Sequence, residues 1–421
     1  MRLTDILKKN SRKDTSATNT DISGSSDSIK RRNPSFSDNR NEDSFYPDEG
    51  ETVIPPDKRP PVFKKNTDIP PTSFYDGKLK QHIAGKAGDK PLLPDETVAE
   101  SIARGEDISE IYADAVKEAR DIFGAVSASR NFNLPISAAL IADMMIDGRT
   151  EFLFFISRTT ADHYIYSHVV NVAAIASVIS LKMGFPPEEV RNISAAAFLH
   201  DVGMAGMLEM VTSKGRFRSP SEEITRLRQH PVLGQNIVER FLSVPDENLK
   251  RFISQAISQT HERAGGHGYP KGLTLANMTS EAAMIIAVAD SYEAMTHNRS
   301  YREQMIPHEA IKTLINESEE NFNPEVMKAF LTAFSLYPVG SYVRLSNNHI
   351  ARILKIKENM PTRPFVRIIA DQSGKKVAQE KKDADLEDAG VLAIKEAVDE
   401  TKIKLEPKLS LELETQRWWI R

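Results

Sequence analysis

The chain has 421 residues, enough for two or three domains around a substantial core. Its 55 Lys and Arg against 59 Asp and Glu leave a formal net charge of -4, which excludes a general electrostatic nucleic-acid binder. There is no cysteine, so disulfides, zinc ribbons and thiol catalysis are excluded, and any metal must be held by His and carboxylate side chains.

Residues 1–94 are rich in Ser, Asn, Asp, Pro and Lys with apolar residues scattered singly, and the composition predicts disorder. Prolines at 55, 56, 60, 61, 70 and 71 suggest an extended linker within it. The opening stretch MRLTDILKKNSRKDTS lacks the apolar core of a signal peptide, and no run reads as long enough to span a bilayer. A cytoplasmic protein is expected. Residues 95–160 carry apolar residues at helical spacing. One helix is predicted over 95–129, capped by Asp95 or Thr97, and a second over 136–159 after Pro135.

From 161 to 335 the chain is a series of helical patterns with short polar connections. DHYIYSHVVNVAAIASVISLKMG ends on Gly184, which suits a helix C-terminus. PPEEVRNISAAAFLHDVG opens on Pro and Glu, which suits a helix start. SEEITRLRQHPVLGQNIVERFLS spans one or two helices, and NLKRFISQAISQTHE and SEAAMIIAVADSYEAMTHN one each. Strand signals are weak until Pro338. Beyond it, alternating apolar residues and turn clusters predict a small SH3-like β module over 336–400, followed by a polar tail over 401–421. The fold class expected is mainly α: a helical bundle with a C-terminal β module.

Eight of the ten histidines lie between His163 and His308. The apolar run Ala195–Leu199 leads directly into His200 and Asp201, and an imidazole and a carboxylate at the end of a buried helix are costly unless paired or bound. Taken singly, His168 reads as a satisfied helical histidine and His230 as a helix end. His261-Glu262 reads as a surface pair, and Asp290 as a structural carboxylate closing MIIAVAD. Together they form a dispersed His/Asp set of the kind that holds divalent metals.

In order, the series is His168, His200-Asp201, His230, His261-Glu262, Gly268-Tyr269-Pro270, Asp290, Arg299 and Arg302. With the flanking words FLHDVG, QHPVLG, HERAGGHGYPKGL and VADSYEAMTHNRSYR, it resembles the HD-GYP domain, a subgroup of the HD-domain metal-dependent phosphohydrolases. The resemblance covers 161–335. It implies an all-α bundle holding two or three metal ions, usually iron or manganese, and hydrolysis of cyclic di-GMP to pGpG or GMP in bacterial signalling. The metal ligands carried over are His168, His200, Asp201, His230, His261 and Asp290. Asp201 is expected to bridge the ions, with His200 beside it in the catalytic dipeptide. His168 and Asp290 would complete one ion, and His230 and His261 the other. Arg299 and Arg302 fall at the substrate-phosphate positions, where a bidentate guanidinium suits the ligand. Gly268, Tyr269 and Pro270 form the loop word, with Tyr269 offering an aromatic face to a guanine. A diguanylate cyclase or another signalling protein and a homodimer are the further partners considered.

Four positions depart from the family pattern. Met204 stands where Lys is usual, Thr260 where a second His is usual, Gly265 where Asp is usual, and Tyr164 where trinuclear members carry Glu. They point to two metals rather than three, with His267 the one nearby residue able to restore a ligand. They also leave open an alternative, a degenerate domain that binds the dinucleotide or a partner protein without hydrolysis. Retention of all six ligand positions, with Glu293 near Asp290, favours activity.

Overall fold

The computed structural model describes residues 105–149, 152, 153, 156, 164–208, 220–297, 304–357, 360, 362–375, 377 and 383–399. The expectations for 1–94, for the first turns of the helix predicted from 95, and for the tail lie outside the described residues.

Helix α1 (Gly105–Ser127) buries Ile108, Tyr112, Ala115, Ala119 and Phe123, one stripe at helical spacing. That stripe packs on α3 (Tyr164–Met183), with the rings of Phe123 and Tyr166 edge to face at 5.6 Å. Between them, α2 (Ile136–Ile146) is shorter than predicted. The apolar run continues past it, but Gly148 takes φ +72 and ends the helix. The Gly148 amide bonds to Met145 O at 3.1 Å and the Arg149 amide to Met144 O at 2.8 Å, the two reverse bonds of a Schellman stop. Gly184, at φ +80, closes α3 in the same way, with Phe185 N bonding to Ser180 O at 3.1 Å.

Helix α3 corrects the expectation that no run is long enough to span a bilayer. Within its 20 residues an 18-residue window has a mean hydropathy of 1.5, long and apolar enough to cross a membrane, and 83% of that window is buried within the protein. A core helix wrapped on every side by other helices has the same composition as a membrane span.

Helix α4 (Pro187–Leu199) starts on Pro187 with Glu188 and Glu189 in its first turn and runs into a 3₁₀ turn (Val202–Met207). Helices α5 (Pro220–Leu227) and α6 (His230–Phe241) divide the next pattern in two. In α7 (Glu247–Gln259), Asp246 caps the start by accepting from Asn248 N at 2.8 Å. In α8 (Glu281–Thr296), Ser280 does so from Ala283 N at 3.2 Å. Every residue of α8 from Ala282 to Asp290 is buried, which makes it the central rod of the bundle. Helices α9 (Pro307–Asn321) and α10 (Pro324–Phe334) complete the helical part.

Two short strands, β1 (Phe132–Asn133) and β2 (Leu242–Ser243), pair in parallel at the bundle edge. The C-terminal strands are β3 (Tyr342–Leu345), β4 (Ile350–Lys355), β5 (Phe365–Ala370), β6 (Asp383–Asp385) and β7 (Ile394–Val398). They form an antiparallel sheet in the order β6-β5-β4-β3-β7. Val343, Leu345, Ala351, Ile353, Val366 and Leu386 are its core, so the predicted mainly-α fold with a small β module is the fold observed.

Candidate metal centre

Five helices bring the predicted residues together. His168 comes from α3, His200 and Asp201 from the end of α4, His230 from the start of α6, His261 from just beyond α7, and Asp290 from α8. Gly203 makes the approach of the His-Asp turn possible. A Cβ there would lie 2.0 Å from His230 O and 2.6 Å from Gly234 N, so only glycine lets the 3₁₀ turn sit on the first turn of α6. That contact brings Asp201 Oδ1 to 3.2 Å from His230 Nε2.

The donor atoms fall into two groups. Those of His168, His200 and Asp290 lie within 4.8 Å of one another, and so do those of Asp201, His230 and His261. Asp201 lies between them, with Oδ2 3.6 Å from His168 Nε2 and Oδ1 3.5 Å from His200 Nε2. Asp290 Oδ1 is 3.3 Å from His168 Nε2, and its Oδ2 is 3.9 Å from His261 Nδ1. His168, His200 and His230 are each 1% exposed.

The histidines are held with one nitrogen facing inward. His200 Nδ1 donates to Ala197 O at 2.7 Å and His230 Nδ1 to Leu227 O at 2.8 Å. A carbonyl oxygen only accepts, so each Nδ1 carries a proton, and Nε2 is the ring nitrogen that faces the cluster. Nε2 of His200, His230 and His261 and Oδ1 of Asp201 are buried and make no hydrogen bond. Leaving such groups unsatisfied costs about 1–3 kcal/mol each, and four of them converging on one space is the donor set that a divalent cation relieves. The residues therefore fit a metal.

The electrostatics agree. Burial opposes the Asp201 charge, but His200, His230 and His168 outweigh it and hold the carboxyl well below its usual range. Burial likewise opposes the Asp290 charge, and the hydrogen bond from His168 with the neighbouring His261 overrides it. Burial, then His230, pushes His261 well below the ordinary imidazole range, leaving it neutral and able to donate a lone pair. Burial disfavours a charged His168, but Glu293 and Asp290 prevail and raise it to about 10. In the metal-free chain His168 is thus protonated, and a cation at its Nε2 must displace that proton.

Glu293, expected near Asp290, and Asn171, which the motifs do not mark, support this set. Glu293 is fully buried, accepting from His168 Nδ1 at 2.5 Å and from Asn171 Nδ2 at 2.9 Å. Asn171 was legible as a polar residue three positions after His168 in an otherwise apolar helix face. Taken singly His261-Glu262 reads as a surface pair, but Glu262 is 1% exposed. Its carboxylate accepts from Lys271 N at 2.8 Å and Leu273 N at 2.7 Å, and a chain loop with unmet amides draws a carboxylate inward.

That anchor shapes the Gly-Tyr-Pro loop, which contains a cis Tyr269–Pro270 bond. A Cβ on Gly268 would meet Arg263 N at 2.4 Å and His261 O at 2.5 Å, so the loop word needs glycine there. Tyr269 stacks on the His261 ring at 4.8 Å and 6°, and the Arg228 guanidinium lies 5.5 Å from its ring centre. The aromatic face expected for a base is thus engaged by His261 on at least one side.

At the departures, Thr260 donates its hydroxyl back to Ala256 O at 3.0 Å, and Tyr164 stacks on His168 at 5.4 Å. Met204 lies half-buried in the 3₁₀ turn, and His267 Nε2 bonds to Asn321 Oδ1 at 2.9 Å. Arg299 and Arg302 lie outside the described residues.

A bundle whose core converges on buried His and Asp donors, followed by a β module, defines a class. Residues 144–326 match the HD domain family, and residues 342–406 match the KOW domain associated with the HD domain. The HD match spans the donor residues from His168 to Asp290 and the Gly-Tyr-Pro word between them. The chain is 30% identical over 210 residues to "Cyclic di-GMP phosphodiesterase PA4108" of Pseudomonas aeruginosa, covering 50% of this chain and 49% of that protein. It is 28% identical over 216 residues to "Cyclic di-GMP phosphodiesterase PdeB" of Borreliella burgdorferi, covering 51% and 55%. A third relative, "Cyclic di-GMP phosphodiesterase" of Thermotoga maritima, is 31% identical over 166 residues, 39% of this chain and 44% of that one. The chain thus spans about half the length of these curated relatives.

Proposed function

We propose that this chain is a metal-dependent phosphodiesterase that hydrolyses cyclic di-GMP to pGpG or GMP. The observation that carries the reading is the pair of buried donor groups with the Asp201 carboxylate between them. His168, His200 and Asp290 would hold one divalent ion, His230 and His261 the other, with Asp201 shared. Iron or manganese suits imidazole and carboxylate donors without thiolates. Two such ions supply Lewis acidity at a phosphodiester and offset its charge. The remaining work belongs to the side chains. Carbonyl acceptors fix the His200 and His230 rings, Glu293 fixes His168, and the Tyr269 ring covers His261. The names of the relatives support the substrate.

The test is turnover of cyclic di-GMP by protein prepared without oxygen and loaded with Mn²⁺ or Fe²⁺, with products separated by chromatography. Linear pGpG or GMP is the expected outcome. Metal binding and dinucleotide binding without turnover would replace this reading with the degenerate, binding-only one, for which Thr260 and Met204 are the residues to examine. Arg299 and Arg302 are assigned to the substrate phosphates. Arg302→Ala should weaken dinucleotide binding by about 1.5–3 kcal/mol, the worth of a hydrogen bond to a charged group, with metal content unchanged. Unaltered affinity in the double alanine variant would remove the assignment.

A further inference from the structure

His168 is anchored through a chain of side chains that begins outside the HD domain. Glu293 Oε2 accepts from His168 Nδ1 at 2.5 Å, and its Oε1 accepts from Asn171 Nδ2 at 2.9 Å. Asn171 Oδ1 in turn accepts from the Tyr112 hydroxyl at 2.9 Å. Tyr112 lies on α1, ahead of residues 144–326 that match the HD family. Each of the four residues is at most 1% exposed. Water does not compete for these bonds, and a missing partner is not replaced.

The direction of the chain matters. An amide side chain can turn either end toward Glu293, and only the Nδ2 end is attractive to a carboxylate. With Nδ2 given to Glu293, Oδ1 faces the Tyr112 hydroxyl, which donates to it and satisfies the buried amide oxygen. Burial, with the Glu293 charge adding to it, raises the Tyr112 phenol far above its ordinary range, so it remains a donor. Ser167, one turn before Asn171 on α3, also hydrogen-bonds the phenol oxygen. The Tyr112 ring is packed on Phe152 at 5.7 Å, so hydroxyl and ring have separable roles.

We infer that Tyr112 is a positioning residue for the metal centre, acting through Asn171 and Glu293 on the imidazole of His168. This rests on the reading of His168 as a metal ligand. It means that the helix preceding the HD domain contributes to metal affinity, and that an HD domain cut at the family boundary lacks one support of its centre.

The experiment uses the full chain and needs no nucleotide. Tyr112→Phe keeps the ring and removes only the donor. Its Mn²⁺ affinity, measured by calorimetry, should fall about ten-fold, the lower end of what outer partners of a metal ligand contribute. In metal-free protein, the ¹H–¹⁵N signal of the His168 Nδ1 proton, far downfield in a short hydrogen bond, should move upfield. Asn171→Leu interrupts the same chain, and the double variant should bind Mn²⁺ no more weakly than Asn171→Leu alone. Additive losses would show that Tyr112 acts on the fold and not through Asn171. Equal Mn²⁺ affinity in wild type and Tyr112→Phe, with an unmoved Nδ1 proton, would overturn the inference alone. No Mn²⁺ binding by the wild type would overturn the metal reading together with it.

Discussion

Asp201 sits where one charge serves two histidine groups, and this makes it the sharpest single-residue test. Asp201→Asn keeps the shape and removes the anion that His200, His230 and His168 surround. Metal content should drop while the circular-dichroism spectrum and cooperative melting persist, and full occupancy in that variant would sink the bridging role. His168 permits a test by pH. Its pKa is raised from 6.5 to about 10, so the folded chain keeps a proton that the unfolded chain gives up. That contribution is complete below about pH 6.5 and is lost as pH rises through about 10. The depressed carboxyls of Asp201 and Asp290 contribute fully over the same window, because their loss comes only as pH falls below the ordinary Asp range. The melting temperature of metal-free protein should therefore decline between pH 7 and pH 10, and His168→Gln should flatten the decline. A flat wild-type profile would show that the proton is absent.

At the scale of elements, His200, Asp201, His230 and His261 come from helix ends, while His168 and Asp290 lie within α3 and α8. His200 follows α4, His230 opens α6 and His261 follows α7, and each such end leaves backbone groups that orient a ring or close a turn. The contact between the 3₁₀ turn and α6 is the joint on which the second donor group depends. Gly203→Ala must separate that joint, since its Cβ has 2.0 Å to a backbone oxygen that cannot rotate away. The expected cost is about 3 kcal/mol or more in urea denaturation, at the upper end of overpacking, with a loss of Mn²⁺ affinity. An alanine variant with unchanged stability and affinity would show that α6 yields freely.

At the scale of the whole molecule, a bound metal would tie α3, α4, α6, α7 and α8 at one point, five elements drawn from distant parts of the chain. Ligand that binds only the folded state stabilises it by mass action, about 2.7 kcal/mol at one hundred times the dissociation constant. Mn²⁺ at that excess should raise the melting temperature above that in chelator, and elemental analysis of the loaded chain should find two metals per chain. An unchanged melting temperature, or a third tightly held ion, would contradict the proposed centre.

The sequence alone determined the mainly-α class, the β module after Pro338, the helix stop at Gly184 and the candidate donors, because periodicity and local stop signals are properties of neighbouring residues. His200-Asp201 and Asp290 were legible because charge at the end of an apolar run stands out against its surroundings. Only the tertiary structure decided the rest. Whether α3 crosses a membrane or lies in a core depends on what surrounds it, since both environments select the same apolar composition. The burial of Glu262 depends on amides of Lys271 and Leu273 nine and eleven residues on, and Thr260 turns its hydroxyl to its own helix instead of the donors. The anchoring of His168 by Glu293, Asn171 and Tyr112 joins three helices. Hydrogen bonds across such separations leave no periodic trace, because partners are chosen by packing in space and not by distance along the chain.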